Sequence, residues 1–260
     1  MLRSLNTAEE AMKLQQTRID VLANNLANAD TTGFKQILTQ VLESGAQDGA
    51  VRRYDDTPPD ALPRRRGLAM PPGREVTMTV AVDLRKGPLR QTGRPTDLAI
   101  IGEGFFVVQD EAGREFYTRA GSFSVDGQKR LVTSEGDLVL GTGGPITIEG
   151  DSFGIDRDGT VTVDGATAGR LKLVRLAQDD ALRLVGGNRI ARDGESELQE
   201  IPREEAHVEQ GQLEASNVSA IDAMVDMIAV QRAFEVQSKV VQAADETLST
   251  SVSQLGRVQR

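Results

Sequence analysis

The chain has no cysteine, no tryptophan and a single histidine, His207. Without thiols there is neither a disulfide framework nor a thiolate metal site, and one histidine does not supply a zinc donor set. Aromatic residues make up only 3% of the 260 residues, so any core rests on aliphatic packing. No apolar run approaches the 18 or so residues of a membrane span. The opening residues, MLRSLNTAEEAM, lack the apolar stretch of a cleaved secretory signal. A formal net charge of −9 argues against a nucleic-acid partner, because phosphate binding needs a cationic surface. No cofactor site is expected.

Glycine and proline are missing where it matters most. The chain carries 26 and 9 of them, yet residues 1–32 and 212–255 contain neither. Both spans read as long helices. In the second, Met227, Phe234, Val241, Leu248 and Leu255 recur every seven residues, and Ala223, Val230, Gln237, Ala244 and Ser251 follow the same period. That is the a/d seam of a helix that winds around a partner. The first span has its own seam: Leu5, Met12, Ile19 and Leu26, interleaved with Ala8, Gln15, Leu22 and Ala29. Packing one seam on the other predicts a coiled-coil base from which a loop of about 180 residues projects. Ile221, Met224, Val225 and Ile228 add a second apolar stripe. That stripe either packs on the chain's own β region or meets neighbouring molecules.

Taken in order, residues 1–35 form the first helix and its end. Asn6 and Glu9 have the spacing of a capping box. The helix is expected to run from Ser4–Asn6 to about Asp30, roughly 40 Å, and to stop at Gly33. Asn24, Asn25 and Asn28 in its last turns read either as a fraying end or as an amide cluster across a subunit contact. Residues 36–86 form an extended linker. A short apolar piece (Ile37, Leu38, Val41, Leu42) precedes a segment rich in Pro and Arg at 52–74, and alternation resumes from Val76 to Val82.

Residues 87–211 have β texture. Eighteen glycines fall between Gly87 and Gly187 and separate runs of strand length. The strands expected are Leu98 to Ile101, Phe105 to Val108, Phe116 to Arg119, Leu131 to Thr133, Leu138 to Leu140, Ile146 to Ile148, Val161 to Val163 and Leu171 to Leu176. Asp126-Gly127, Glu135-Gly136, Asp158-Gly159 and Asp164-Gly165 read as hairpin turns. Residues 188–211 are polar. Residues 212–260 carry the second helix, capped by Ser216 or Asn217, or by Ser219 with Asp222. The fold class expected is α+β: long terminal helices around an inserted antiparallel β-rich domain.

Catalytic patterns are missing. No G-x-S-x-G elbow occurs, and Gly102-Glu103-Gly104 lies between strands with no helix to present to a phosphate. Asp156-x-Asp158-Gly159 starts like a calcium loop, but Val161 and Thr167 stand where Gly and Glu are needed. Asp179-Asp180 reads as an ordinary surface pair. No catalytic, metal or cofactor-binding residue is assigned, although two carboxylates of glycosidase type leave no sequence signature.

The stretch Leu22-Ala-Asn-Asn-Leu-Ala-Asn-Ala-Asp-Thr-Thr-Gly-Phe-Lys35 resembles the N-terminal signature of bacterial flagellar rod and hook proteins. Gly87-Pro-Leu-Arg-Gln-Thr-Gly-Arg-Pro-Thr-Asp-Leu-Ala-Ile100, running on to Gly102-Glu-Gly104-Phe105-Phe, matches further. So do Tyr117-Thr-Arg119-Ala-Gly121-Ser-Phe and Leu213-Glu-Ala-Ser216-Asn217-Val, with Gln231-Arg232-Ala-Phe-Glu beyond. Thr32, Gly33 and Phe34 complete the motif residues. The resemblance implies a structural, non-enzymatic subunit of the basal-body rod, polymerising helically with copies of itself and with other rod and hook proteins. It implies export through the flagellar type III apparatus without a cleaved signal, and no insertion into the membrane. A larger rod protein with a β domain is implied. The Pro/Arg segment stands where the distal type usually carries Gln-x-Gly-x-Gly-Val, which favours the proximal type over the distal or hook-like ones. The helix–helix and subunit interface is then expected at Leu5, Met12, Ile19, Leu22, Asn24, Asn25, Leu26 and Asn28, and at Ile221, Met224, Val225, Met227, Ile228, Val230, Phe234, Val241 and Leu248. The rival from another class is a β domain that binds or hydrolyses a surface polymer, carried on a helical dimerisation stalk.

Overall fold

The structure, a computed structural model, describes residues 2–44, 75–150, 152–176, 182–192 and 198–258. The Pro/Arg segment 52–74 and Asp179-Asp180 lie outside them. The chain divides into two units: residues 1–27, 37–80 and 219–260 in one, and residues 28–36 and 81–218 in the other.

The first unit holds the two helices, α1 (Leu2–Ala27) and α2 (Ala220–Val258), and most of a two-stranded sheet of Ile37–Ser44 with Glu75–Val82, whose last two residues belong to the second unit. α1 begins before the expected box. Asn6 therefore lies inside the helix and not at its N-cap position, and the Asn6–Glu9 reading is corrected. α2 starts later than the glycine-free span, because residues 212–214 form a strand. Ser219 is its cap: the Asp222 amide donates to Ser219 Oγ at 3.3 Å, and the Ala223 amide to the Ser219 carbonyl at 2.9 Å. Packing selects one face of each helix. Met12, Ile19, Leu22 and Leu26 are half-buried while Lys13, Gln16, Arg18 and Asp20 are exposed. On α2, Ala223 and Val230 are buried, and Met227, Phe234 and Val241 are half-buried. The two helices pack on each other.

The second unit is built on antiparallel pairing throughout its assigned ladders. Phe105–Gln109 is the central strand. It is flanked by Glu115–Thr118 and Leu138–Gly141, and Leu173–Arg175 also pairs with it. Its four apolar residues are all buried, for a reason that follows from strand geometry. Successive side chains point to opposite faces. Phe106 and Val108 enter one core with Leu131, Val139 and Leu173; Phe105 and Val107 enter another with Tyr117, Leu140 and Val174. Each such side chain contributes about 1.5–3 kcal/mol on burial. Phe106 meets Phe123 edge-on, with ring centroids 5.2 Å apart.

The expected turns are seen. Asp156 to Gly159 links Phe153–Ile155 to Thr160–Val163, and Asp164-Gly165, both at positive φ, links that strand to Ala166–Arg170. One expectation fails. Ile146 to Ile148 is not a strand; it makes an isolated bridge at Thr147, while its isoleucines fill the core. The polar stretch 188–211 contains strands Ile190–Arg192, Gln199–Glu200 and Val208–Gln210, because partners elsewhere in the sheets pair with their backbones.

Candidate functional site

Within the β-rich unit, three of the four sequence motifs converge on one carboxylate. The segment Gly33 to Gln36, arriving from α1, lies beside Glu214 to Asn217, which leads away to α2. The Gly33 amide donates to the Glu214 carbonyl at 2.7 Å, and the Asn217 amide to the Phe34 carbonyl at 3.4 Å. Asn217 binds further through its side chain. Its Oδ1 accepts from the Gln36 amide at 2.7 Å, and its Nδ2 donates to the carbonyls of Asp83 and Arg85 at 3.1 and 3.0 Å. Glycine is required here. Gly33 sits at φ +69°, and a Cβ on it would stand 2.2 Å from the Ala120 nitrogen. A Cβ on Gly87 would lie 1.9 Å from the Ala215 carbonyl oxygen.

Between these backbones lies a buried ionic cluster. Glu214 Oε1 accepts from Lys35 Nζ at 2.7 Å and from the Gly87 amide at 2.9 Å, and Oε2 accepts from Arg119 Nη1 at 3.0 Å. Lys35 Nζ also donates to the Arg85 carbonyl at 2.7 Å. Arg119 donates to the carbonyls of Ile100 and Gly102 at 3.2 and 2.7 Å, and its guanidinium stands 5.1 Å from the Phe105 ring centroid. The side chains of Lys35, Arg119 and Glu214 are only 1–2% exposed. Two cations share one carboxylate. Burial accordingly pulls the Lys35 ammonium below its ordinary pKa, against the opposing pull of Glu214. Asp83 lies alongside. Burial would raise its pKa, but hydrogen bonds from the Arg85 side chain and backbone outweigh that and hold it below the usual value.

The other motif residues surround this cluster. Leu213 and Ser216 are buried beside Glu214, with Ser216 Oγ accepting from the Val218 amide at 3.1 Å. Thr32 offers its carbonyl to Asn188 Nδ2 at 2.8 Å. Phe34, Phe105 and Tyr117 are buried, Gly121 pairs through its carbonyl with the Leu98 amide, and Gly102 and Gly104 form the turn before Phe105 at φ +127°. Arg232 lies exposed on α2. Lys35 and Glu214 carry the cluster, although sequence reasoning quoted both without giving either a role. The signal was charge set in short stretches: Arg119 and Glu214 are the one charge of their motifs, and Lys35 ends a motif whose other charge is Asp30.

The asparagines divide. Asn25 is buried on α1 and spends its whole amide on Ile37, accepting from its amide at 2.8 Å and donating to its carbonyl at 2.7 Å. Asn24 is exposed. Asn28 is half-buried, with its Oδ1 accepting from Thr31 Oγ1 at 3.2 Å. It lines a polar recess of about 270 Å³ with Thr31, Ser122, Ser134 and Asn188. On α2, Ile221, Met224, Val225 and Ile228 are 75%, 50%, 61% and 51% exposed. The side chains of Leu5 and Leu248 lie outside the described set. Among the described residues, no group of three His, Cys, Asp or Glu could hold a metal ion.

Comparison with known proteins covers nearly the whole chain. Residues 5–35 match a family described as "Flagella basal body rod protein", residues 99–163 the "Flagellar hook protein FlgE/F/G D1 domain", and residues 209–255 the "Flagellar basal body rod FlgEFG protein C-terminal". The chain is 34% identical over 259 residues to the flagellar basal-body rod protein FlgG of Borreliella burgdorferi, covering 95% of this chain and 97% of that one. It is 34% identical to FlgG of Bacillus subtilis, with 97% and 99% covered. To FlgF of Escherichia coli it is 36% identical, with 95% of both chains covered.

Proposed function

Because the chain belongs to the flagellar basal-body rod protein family, we propose that α1 and α2 wind together as a coiled coil and then pack against those of neighbouring subunits in a helical tube. The protein is a structural subunit of the basal-body rod and not an enzyme. Membership carries with it assembly with other rod and hook proteins. No described helix is long and apolar enough to cross a membrane.

One observation supports this mode of assembly above the rest. α2 has two apolar faces. Ala223, Met227, Val230 and Phe234 turn inward, while Ile221, Met224, Val225 and Ile228 stand at least half exposed. At 100° per residue the centres of the two stripes are roughly 140° apart, so no single partner helix covers both. A heterologous contact on the outer stripe repeats without closing, which makes a filament. Asn24 and Asn28 extend that contact in this proposal, with copies of the chain and other axial proteins as partners.

Relatives of the FlgF and FlgG kinds match almost equally. The proximal type is favoured here on the Pro/Arg segment alone. Export through the flagellar type III apparatus without a cleaved signal belongs to the same proposal. The test is incorporation. Phe234→Asp should abolish entry into rods while the β-rich unit stays folded. Ile228→Asp should do so while the whole monomer stays folded. Normal rods built from either variant would refute the assignment of faces.

A further inference from the structure

We propose that the side-by-side pairing of two neck segments is a shear clamp: force entering at residues 28–36 and leaving at 212–218 is borne by the Lys35–Glu214 contact and its companion bonds, leaving the sheets behind unloaded. Three features of the β-rich unit carry this.

The first is direction. Gly33 binds Glu214, and Phe34 and Gln36 bind Asn217, so the two segments run the same way. A pull on residue 30 draws the first segment toward its N-terminal end. The opposing pull on residue 219 draws the second toward its C-terminal end. The segments can separate only by sliding, and sliding loads every cross-bond at once. Opposed hairpin strands would peel open one bond at a time.

The second is position. Lys35 and Glu214 are 179 residues apart in sequence, with their charged atoms 2.7 Å apart. All of the chain between them is shorted out of the load path while that contact holds. Its release would free up to about 600 Å of chain.

The third is the surroundings. Water does not compete for a contact whose two side chains are 1% and 2% exposed. Arg119 and the Gly87 amide fix the carboxylate from other sides, so it cannot swing to follow a moving lysine.

This predicts a dissociation between mechanical and thermodynamic strength. In Lys35→Met, Glu214 keeps Arg119 and the Gly87 amide, and the Arg85 carbonyl keeps Asn217 Nδ2. No buried charge is stranded. The ion pair between the necks is nevertheless gone, leaving the backbone bonds and the Asn217 side chain to hold them.

The test is single-molecule pulling on the full chain. The sequence has no native cysteine, so Asp30→Cys and Ser219→Cys, both at exposed positions, give unique handles. The parent is expected to open in one high-force step that releases nearly the whole interval. Lys35→Met should unfold under the same load roughly tenfold to a hundredfold faster, with its urea midpoint near the parent's. Asp126→Ala, which removes a turn carboxylate far from the necks in sequence, should lower the urea midpoint without moving the rupture force. Asn217→Ala checks the backbone side of the clamp and should also weaken rupture. Low-force opening of the parent in many small steps would overturn the proposal. So would an unchanged rupture force in both Lys35→Met and Asn217→Ala. The measurement is made on monomers, so its outcome is independent of whether the helices polymerise.

Discussion

Glu214 and Lys35 meet at 2.7 Å inside the β-rich unit, with Arg119 on the other oxygen of the same carboxylate. The pair is unequal in consequence. Among the described residues, Glu214 is the one carboxylate bonded to both buried cations, whereas Lys35 is one of two cations around it.

That inequality sets an order of mutational cost. Glu214→Gln leaves two buried cations facing a neutral amide and should destabilise by about 3–5 kcal/mol. Lys35→Met leaves a neutral Arg119–Glu214 pair and should stay within about 1 kcal/mol of the parent. Urea denaturation of the purified chain measures both. Equal losses would show that the cluster does not act as a charge network.

Asn25 closes the turn after α1 with both ends of its amide on Ile37. Asn25→Ala should cost about 1–3 kcal/mol, because the buried bonds are lost without replacement. Asn25→Asp keeps the acceptor for the Ile37 amide but sets a buried carboxylate against the Ile37 carbonyl, so at neutral pH it should cost at least as much as the alanine. Hydrogen exchange at the Ile37 amide reports this directly: it should quicken in the alanine variant and remain slow in the aspartate.

Acid sensitivity should enter through the hairpin turn at Asp158. Its carboxylate accepts from the Thr160 amide at 2.9 Å and from Arg203 Nε at 2.5 Å, and these bonds lower its pKa from the ordinary 3.8 to about 2. A depressed folded-state pKa means that its contribution is whole above the unfolded value and declines as pH falls. The loss therefore lies between pH 3.8 and about 2. An NMR titration of the Asp158 carboxyl checks it. Arg203→Ala should raise the midpoint only slightly, since the largest lowering comes from the Thr160 amide.

The helices were legible because their signals are local and periodic. The seam through Met12, Ile19 and Leu26 and the one through Met227, Phe234 and Val241 mark faces that the structure withdraws from solvent. The four-residue run at Phe105 was legible as a strand but not as a strand serving two cores, since both sides of a buried strand look alike in sequence. Ile37–Ser44 reads in sequence as part of a linker because its partner, Glu75–Val82, follows a segment rich in proline and arginine. The start of α1 was misplaced by an Asn–Glu spacing that also occurs by chance within helices. Lys35 and Glu214 were hidden for a different reason: burial of a charge depends on partners brought together from far along the chain, which no window contains.

One consequence concerns evolution. With Gln36 bonded to Asn217 and Lys35 to Glu214, the separation of the two necks is set by a handful of atoms and not by what is threaded between them. Hairpins such as the one at Asp164-Gly165, where a Cβ on the glycine would meet open space, can grow, shrink or be exchanged at little entropic cost without altering that separation. Relatives of quite different girth could then share one gauge.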